Sequence, residues 1–126
     1  EVILQEFLRE NPNASEKEIE IESSRFQRGG VVLAVLSTPV QHPKIPKWEM
    51  HLSSAAVCMN LLSCAQSKGY AAQWITEWYA YNKTVIEKLG GDFNKDKISG
   101  FIYIGQQSEQ PKERRRPNPE DIISYY

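Results

Sequence analysis

The sequence predicts an α/β fold without internal repeats. Three observations carry that expectation. Two apolar runs of strand type stand at residues 31–36 and 100–105. A stretch of helical length between Glu49 and Lys68 holds no charged side chain. Helix-start and helix-stop residues punctuate most of the remaining segments.

The elements follow in order. Apolar residues at positions 3, 4, 7 and 8 have the spacing of one helix face, and Asn11-Pro12-Asn13 ends that helix. Ser15 followed by Glu18 is a capping-box pair, so a second helix is expected from about Glu16. Residues 18–22 also alternate like a strand, and the cap decides for helix. After Gly29-Gly30, the run Val31-Val32-Leu33-Ala34-Val35-Leu36 reads as a strand covered on both faces, which favours a central place in the sheet. Residues 37–47 hold Pro39, Pro43 and Pro46 and are expected to be an exposed loop.

The helix from about Trp48 to Ser67 is too polar to span a membrane, with His51, Ser53, Ser54, Asn60, Ser63 and Gln66 in it. It is expected to be buried nearly all round. Ser53, Ala56, Asn60, Ser63 and Ser67 form a stripe of small or polar residues, and a second copy of the chain is one way to cover it. Gly69 ends this helix, residues 71–75 form a short strand, and Asn82 caps a helix stopped by Gly90-Gly91. A second buried strand covers residues 100–105. A polar, basic loop runs from Gln106 to Pro119, and Ile122-Ile123-Ser124-Tyr125-Tyr126 reads as a terminal strand in need of a sheet edge.

Length and composition bound the function. The 126 residues suffice for one domain with a core. A net charge of -1 and a pI near 6.2 favour neither nucleic acid nor a membrane surface. Cys58 and Cys64, six apart on one helix, cannot easily pair and are read as small core residues in a reducing compartment. Asn13 and Asn82 fit glycosylation triplets but are read as helix-start residues. The first residue is Glu1, so the chain is expected to begin inside a longer product or to have been processed.

No dinucleotide or phosphate-loop motif is present. His42 and His51 lack a carboxylate or cysteine at ligand spacing, so no metal site is expected. Asp92-Phe93-Asn94-Lys95-Asp96 matches the opening of a calcium loop, but Lys97 and Tyr103 stand where the turn glycine and bidentate Glu belong, and a solvated turn is the better reading. Lys112-Glu113-Arg114-Arg115-Arg116 is a solvated loop or a phosphate grip, since arginine forks onto phosphate oxygens. Trp74-Ile75-Thr76-Glu77-Trp78 can be two core tryptophans at a strand end.

In order along the chain, several segments resemble the nitroreductase family. Arg25-Phe26-Gln27-Arg28-Gly29-Gly30 before the first strand is similar to that family's F-R-x-A-P segment, with Gly-Gly for Ala-Pro. Ile45-Pro46-Lys47-Trp48-Glu49 and the helix behind it resemble its dimer-interface helix. Lys68-Gly69-Tyr70-Ala71-Ala72-Gln73-Trp74-Ile75-Thr76 resembles its G-x-G-x-x-W-x-T flavin-side segment, Gly100 to Gly105 its G-F-I-Y-I-G strand, and Glu113-Arg114-Arg115-Arg116-Pro117 its E-R-P-R-P tail. The segment around Pro46 most resembles small single-domain bacterial members of the YdjA type.

The resemblance implies a single nitroreductase-like domain over residues 1–126, with a mixed central sheet flanked by helices and a long buried dimer-interface helix. It implies a cytoplasmic homodimeric oxidoreductase with FMN as cofactor, using NAD(P)H to reduce nitro or quinone-like acceptors. Backbone groups of Trp74, Ile75 and Thr76 would face the flavin ring, Arg114 and Arg116 would hold its phosphate, and the loop from Pro39 to Lys47 would shape the acceptor pocket. No side-chain nucleophile or general base is required. The family's arginine-rich N-terminal flavin segment is not found. The alternative is a non-catalytic dimeric nitroreductase-like scaffold, or a fragment, that does not retain FMN.

Overall fold

The computed structural model describes residues 1–126. Helices α1 (Val2–Glu10) and α2 (Glu16–Ser24) lead into strand β1 (Val31–Ser37). Helix α3 (Lys47–Ser67), strand β2 (Ala71–Ile75), helix α4 (Lys83–Lys88) and strand β3 (Lys97–Gly105) follow. Short 3-10 turns stand at Arg25–Gln27, Trp78–Ala80 and Pro119–Asp121.

Local chemistry sets most boundaries. The Glu18 N–H donates to the Ser15 hydroxyl, and the Ser15 N–H donates back to the Glu18 carboxylate at 2.8 Å. That reciprocal cap satisfies two orphan donors and selects helix over strand for α2. Its contacts, the Ser15 hydroxyl first, hold the Glu18 carboxyl below its usual range. Asn82 accepts from the Val85 N–H at 3.1 Å and opens α4, while its amide donates to Glu6 of α1 at 3.1 Å. One residue thus caps a helix and ties it to another. Asn13 has no such role, since Ser15 supplies the cap of α2. Gly69 (φ 80°) and Gly90 (φ 88°) terminate α3 and α4 in left-handed backbone.

The three strands pair only antiparallel, in the order β1-β3-β2. Strand β3 is central. Val35 faces Gly100 and Leu36 faces Ile98, so Ser99 is an inserted, bulged residue. The insertion reverses the alternation, placing Ile98 on the same face as Phe101. On that face they meet Ile3 of α1, Val85 and Ile86 of α4, and Tyr79 and Ala80 of the intervening 3-10 turn. The opposite face, with Ile102, packs under α3. Helix α3 turns Cys58 and Ala65 into this layer. His51 Nδ1 lies 2.8 Å from Ser37 Oγ, and Ser54 Oγ 2.7 Å from Ser99 Oγ.

Within a single copy of the chain, four features differ from expectation. Strand β1 is at the sheet edge rather than its centre. Its continuous apolar run carries no information on lateral neighbours: one face packs on the α1/α4 core, and α3 covers the other only in part, leaving Val31 and Leu33 exposed. Helix α3 is buried on one side only. Its small-residue stripe is exposed, as are Trp48, Leu52, Val57 and Met59. Cys64 belongs to this open side and is not a core residue, whereas Cys58 is fully buried and its thiol is pushed up by desolvation. Residues 122–126 form no strand: they pair with neither free edge of the sheet, and they are exposed.

Ile102 is fully buried at the centre of the sheet. Ile102→Ala should lower unfolding free energy by about 2–5 kcal/mol, through lost transfer energy and a cavity under α3. Chemical denaturation measures it; a loss well under 1 kcal/mol would mean that the helix-to-sheet layer closes over the gap.

Candidate functional site

The end of β2 is shaped from below by β3. Trp74 pairs across the sheet with Ile102, and its indole N–H donates to the carbonyl of the bulged Ser99 at 2.9 Å. The ring lies across Gly100. A Cβ on Gly100 would stand 2.0 Å from Trp74 Nε1, so only glycine admits the ring there. Trp74 is left partly exposed, and with Ile75, Thr76 and Glu77 it lines a shallow cleft of about 490 Å³. Trp78, by contrast, turns inward onto the core and Phe7. The two tryptophans of this segment thus part ways.

Beyond β2 the backbone takes an unusual course. Glu77 has φ 52° and ψ 178°, a region nearly confined to glycine, at a cost of about 1–3 kcal/mol for other residues. The N–H groups of Thr76 and Glu77 find no acceptor in the chain. Thr76 and Glu77, with these unpaired donors, and Trp74 line one cleft, a setting suited to a planar ligand rich in hydrogen-bond acceptors.

Glu77 is tied down from the other side. Arg25 donates through Nη1 to the Glu77 carboxylate, and through Nη2 and Nε to Glu22, the Nε bond being 2.8 Å. Both Arg25 and Glu22 are buried. Hydrogen bonding to Glu22 is the main reason that the guanidinium holds its proton even more firmly than usual, with burial opposing. Its carbon Cζ sits 5.1 Å from the centre of the Tyr79 ring. The Tyr79 and Tyr103 hydroxyls are 3.3 Å apart. Burial, before any other cause, raises both phenols. Phe26 completes the cluster against Tyr79, Phe101 and Tyr103.

Of the sequence-predicted site residues, Trp74, Ile75 and Thr76 are brought together. Arg114 and Arg116 are not joined to them. They lie in the exposed tail, where Arg116 Nε donates to Glu113 at 2.9 Å and Arg115 and Arg116 border a separate cleft of about 480 Å³. The loop after β1 does face α3: Thr38, Pro39, Val40 and Ile45 line a cleft of about 610 Å³ with Glu49, Met50, Ser53 and Val57. In the turn before β3, Asp96 accepts from the Asp92 N–H and Asp92 from the Asn94 N–H, so these carboxylates serve the backbone. No helix is long and apolar enough to cross a membrane. Sequence reasoning missed the Glu22–Arg25–Glu77 junction. The i, i+3 pair was visible in principle; its third member, 52 residues from Arg25, was not.

The architecture belongs to a known class of proteins. A sequence model of the Nitroreductase family matches residues 1–106, and the chain belongs to that family. The arginines of the tail lie beyond the matched segment. A protein of Escherichia coli K12 named "Putative NAD(P)H nitroreductase YdjA" is 25% identical over 100 residues, covering 79% of this chain and 54% of its own. The chain spans about half the length of the curated relatives it matches. Among solved structures, a nitroreductase-like family protein from Bacillus cereus superposes with a TM-score of 0.72 at 23% identity, over 90% of this chain and 62% of that one. A Desulfovibrio desulfuricans protein described as a "putative nitroreductase in complex with fmn" gives 0.58 at 19%, over 75% and 54%. These two likenesses establish the fold.

Gly100→Ala should expel the Trp74 ring from its seat, cost about 1–3 kcal/mol as an overpacking change, and alter tryptophan emission. An unchanged emission spectrum together with unchanged stability would show that the ring is not held against β3.

Proposed function

We propose that this chain contributes the ring-side wall of an FMN-dependent oxidoreductase that uses NAD(P)H to reduce nitro or quinone-like acceptors in two alternating half-reactions, and that acts as a homodimer. The observation that carries the reading is the cleft at the end of β2, where the Thr76 and Glu77 N–H groups stand unpaired beside Trp74. Family membership supports it, as do the names of the relatives, one an NAD(P)H nitroreductase and one a structure with FMN. The flavin, when bound, supplies the hydride chemistry.

The chain's own residues bind and orient. The two N–H groups would donate to acceptor atoms on the ring edge, and Trp74 would form an apolar wall. Arg114 and Arg116 would meet the phosphate through charge-assisted hydrogen bonds, Arg116 exchanging its Glu113 contact for the ligand. The cleft between the loop after β1 and α3 would receive the acceptor. Nothing in this arrangement asks a side chain to act as nucleophile or base. The open side of α3 would be covered by the second copy: it carries Trp48, Leu52, Val57 and Met59 beside small residues that permit close backbone approach.

The full-length protein should purify with flavin absorbance, and NAD(P)H should bleach it without oxygen. Arg116→Ala should weaken FMN binding by about tenfold or more, following charge-assisted bonds of about 1.5–3 kcal/mol. A protein that takes up no FMN from solution would leave the scaffold reading in its place. Unchanged affinity in Arg114→Ala and Arg116→Ala would remove the phosphate role.

Ala56→Arg places a long charged side chain on the exposed face of α3. Sedimentation should then report monomer or aggregate. A dimer that persists unaltered at low concentration would put the interface elsewhere.

A further inference from the structure

Glu77 is the only non-glycine residue of the chain with positive φ. Backbone of this kind survives only where the surroundings over-determine it. The following Trp78–Ala80 turn anchors one side, with the Ala80 N–H donating to the Glu77 carbonyl at 3.2 Å. The carboxylate is anchored by Arg25. That arginine is itself held on several sides: it is 8% exposed, forked onto the buried Glu22 and set against the Tyr79 ring. The contact joins residues 25 and 77, and thus the segment before β1 to the end of β2.

We propose that Arg25 is a positioning residue for the cleft. By holding the Glu77 carboxylate, it fixes residue 77 in glycine-like backbone and keeps the Thr76 and Glu77 N–H groups unpaired along the cleft wall, ready for a ligand with acceptor atoms. Identifying that ligand as a flavin rests on the function proposed above; the fixing of the backbone does not.

Glycine can adopt this backbone without a side-chain partner, and alanine cannot do so without strain. Glu77→Gly and Glu77→Ala therefore remove the same carboxylate but differ in what they do to the turn. In crystal structures of the full-length variants, Glu77→Gly should keep residue 77 at positive φ, while Glu77→Ala and Arg25→Met should each move it to negative φ. The combination of Arg25→Met with Glu77→Gly should return it to positive φ. FMN titration should follow the same order. Glu77→Gly should bind FMN about tenfold more tightly than Glu77→Ala, the scale of releasing a strained residue. A purely structural arginine would change stability without this pattern. Should Arg25→Met fail to fold because Glu22 is orphaned, the glycine and alanine variants decide alone. Positive φ retained in Glu77→Ala, or equal FMN affinity in the two variants, overturns the proposal. If the parent protein binds no FMN, the proposed function falls, and the φ of residue 77 still decides the role of Arg25.

Discussion

A strand of period two cannot put Ile98 and Phe101 on one face unless a residue is inserted between them, and Ser99 is that residue. Much of the structure follows from the insertion. With Ile98 and Phe101 on one side, the core can close over α1 and α4. The bulged Ser99 turns its hydroxyl to Ser54 of α3 and leaves its carbonyl to accept the Trp74 indole. Gly100, next along, has no side chain and so makes room for that ring. Three consecutive positions on β3 thereby set the core, the helix contact and the wall of the cleft.

The second constraint is electrostatic. Placing Glu22 and Arg25 in the interior costs desolvation of both charges, and mutual attraction in a low dielectric only roughly offsets that. A buried ion pair is therefore poor support for stability as such. Its effect here is local. The guanidinium offers a rigid fork, two arms go to Glu22, and the remaining arm is left to reach Glu77. The guanidinium lies against Tyr79, which is buried and packs with Phe26 and Phe101, its hydroxyl near that of Tyr103. A charge held in that setting has few ways to move, which is what a residue in glycine-only backbone requires of its partner.

What could be read in the sequence was mostly local. The Ser15–Glu18 box, the Asn82 cap and the left-handed Gly69 and Gly90 act over a few residues, and each formed as expected. The family and its fold were also legible, because short segments kept their order along the chain. Features decided by distant parts were not. Hydropathy of residues 31–36 reported covered faces but could not report that β1 has a single neighbour. Trp74 and Trp78 look alike in sequence, and only the seat on Gly100 separates the cleft wall from the core. Glu77 reads as an ordinary loop acid until Arg25 is found beside it.

Helix α3 poses a problem that the single chain does not solve. Its inward side needs to be uncharged, because Cys58 and Ala65 lie against the sheet. Nothing about that contact restrains the outward side. A helix face in water gains solubility and pairing energy from Lys and Glu at little cost. Yet between Glu49 and Lys68 the outward positions hold Leu52, Val57, Met59, serines, Asn60 and Cys64, with no charge among them. The same face lies beside the cleft formed by the loop after β1. Composition of this sort matches a surface that is covered during function, and the mixture of small and bulky side chains fits close packing of helix on helix better than contact with a flexible segment. On the proposed reading, the second copy that covers α3 would also wall the cleft beside it, so assembly and ligand binding would depend on one face.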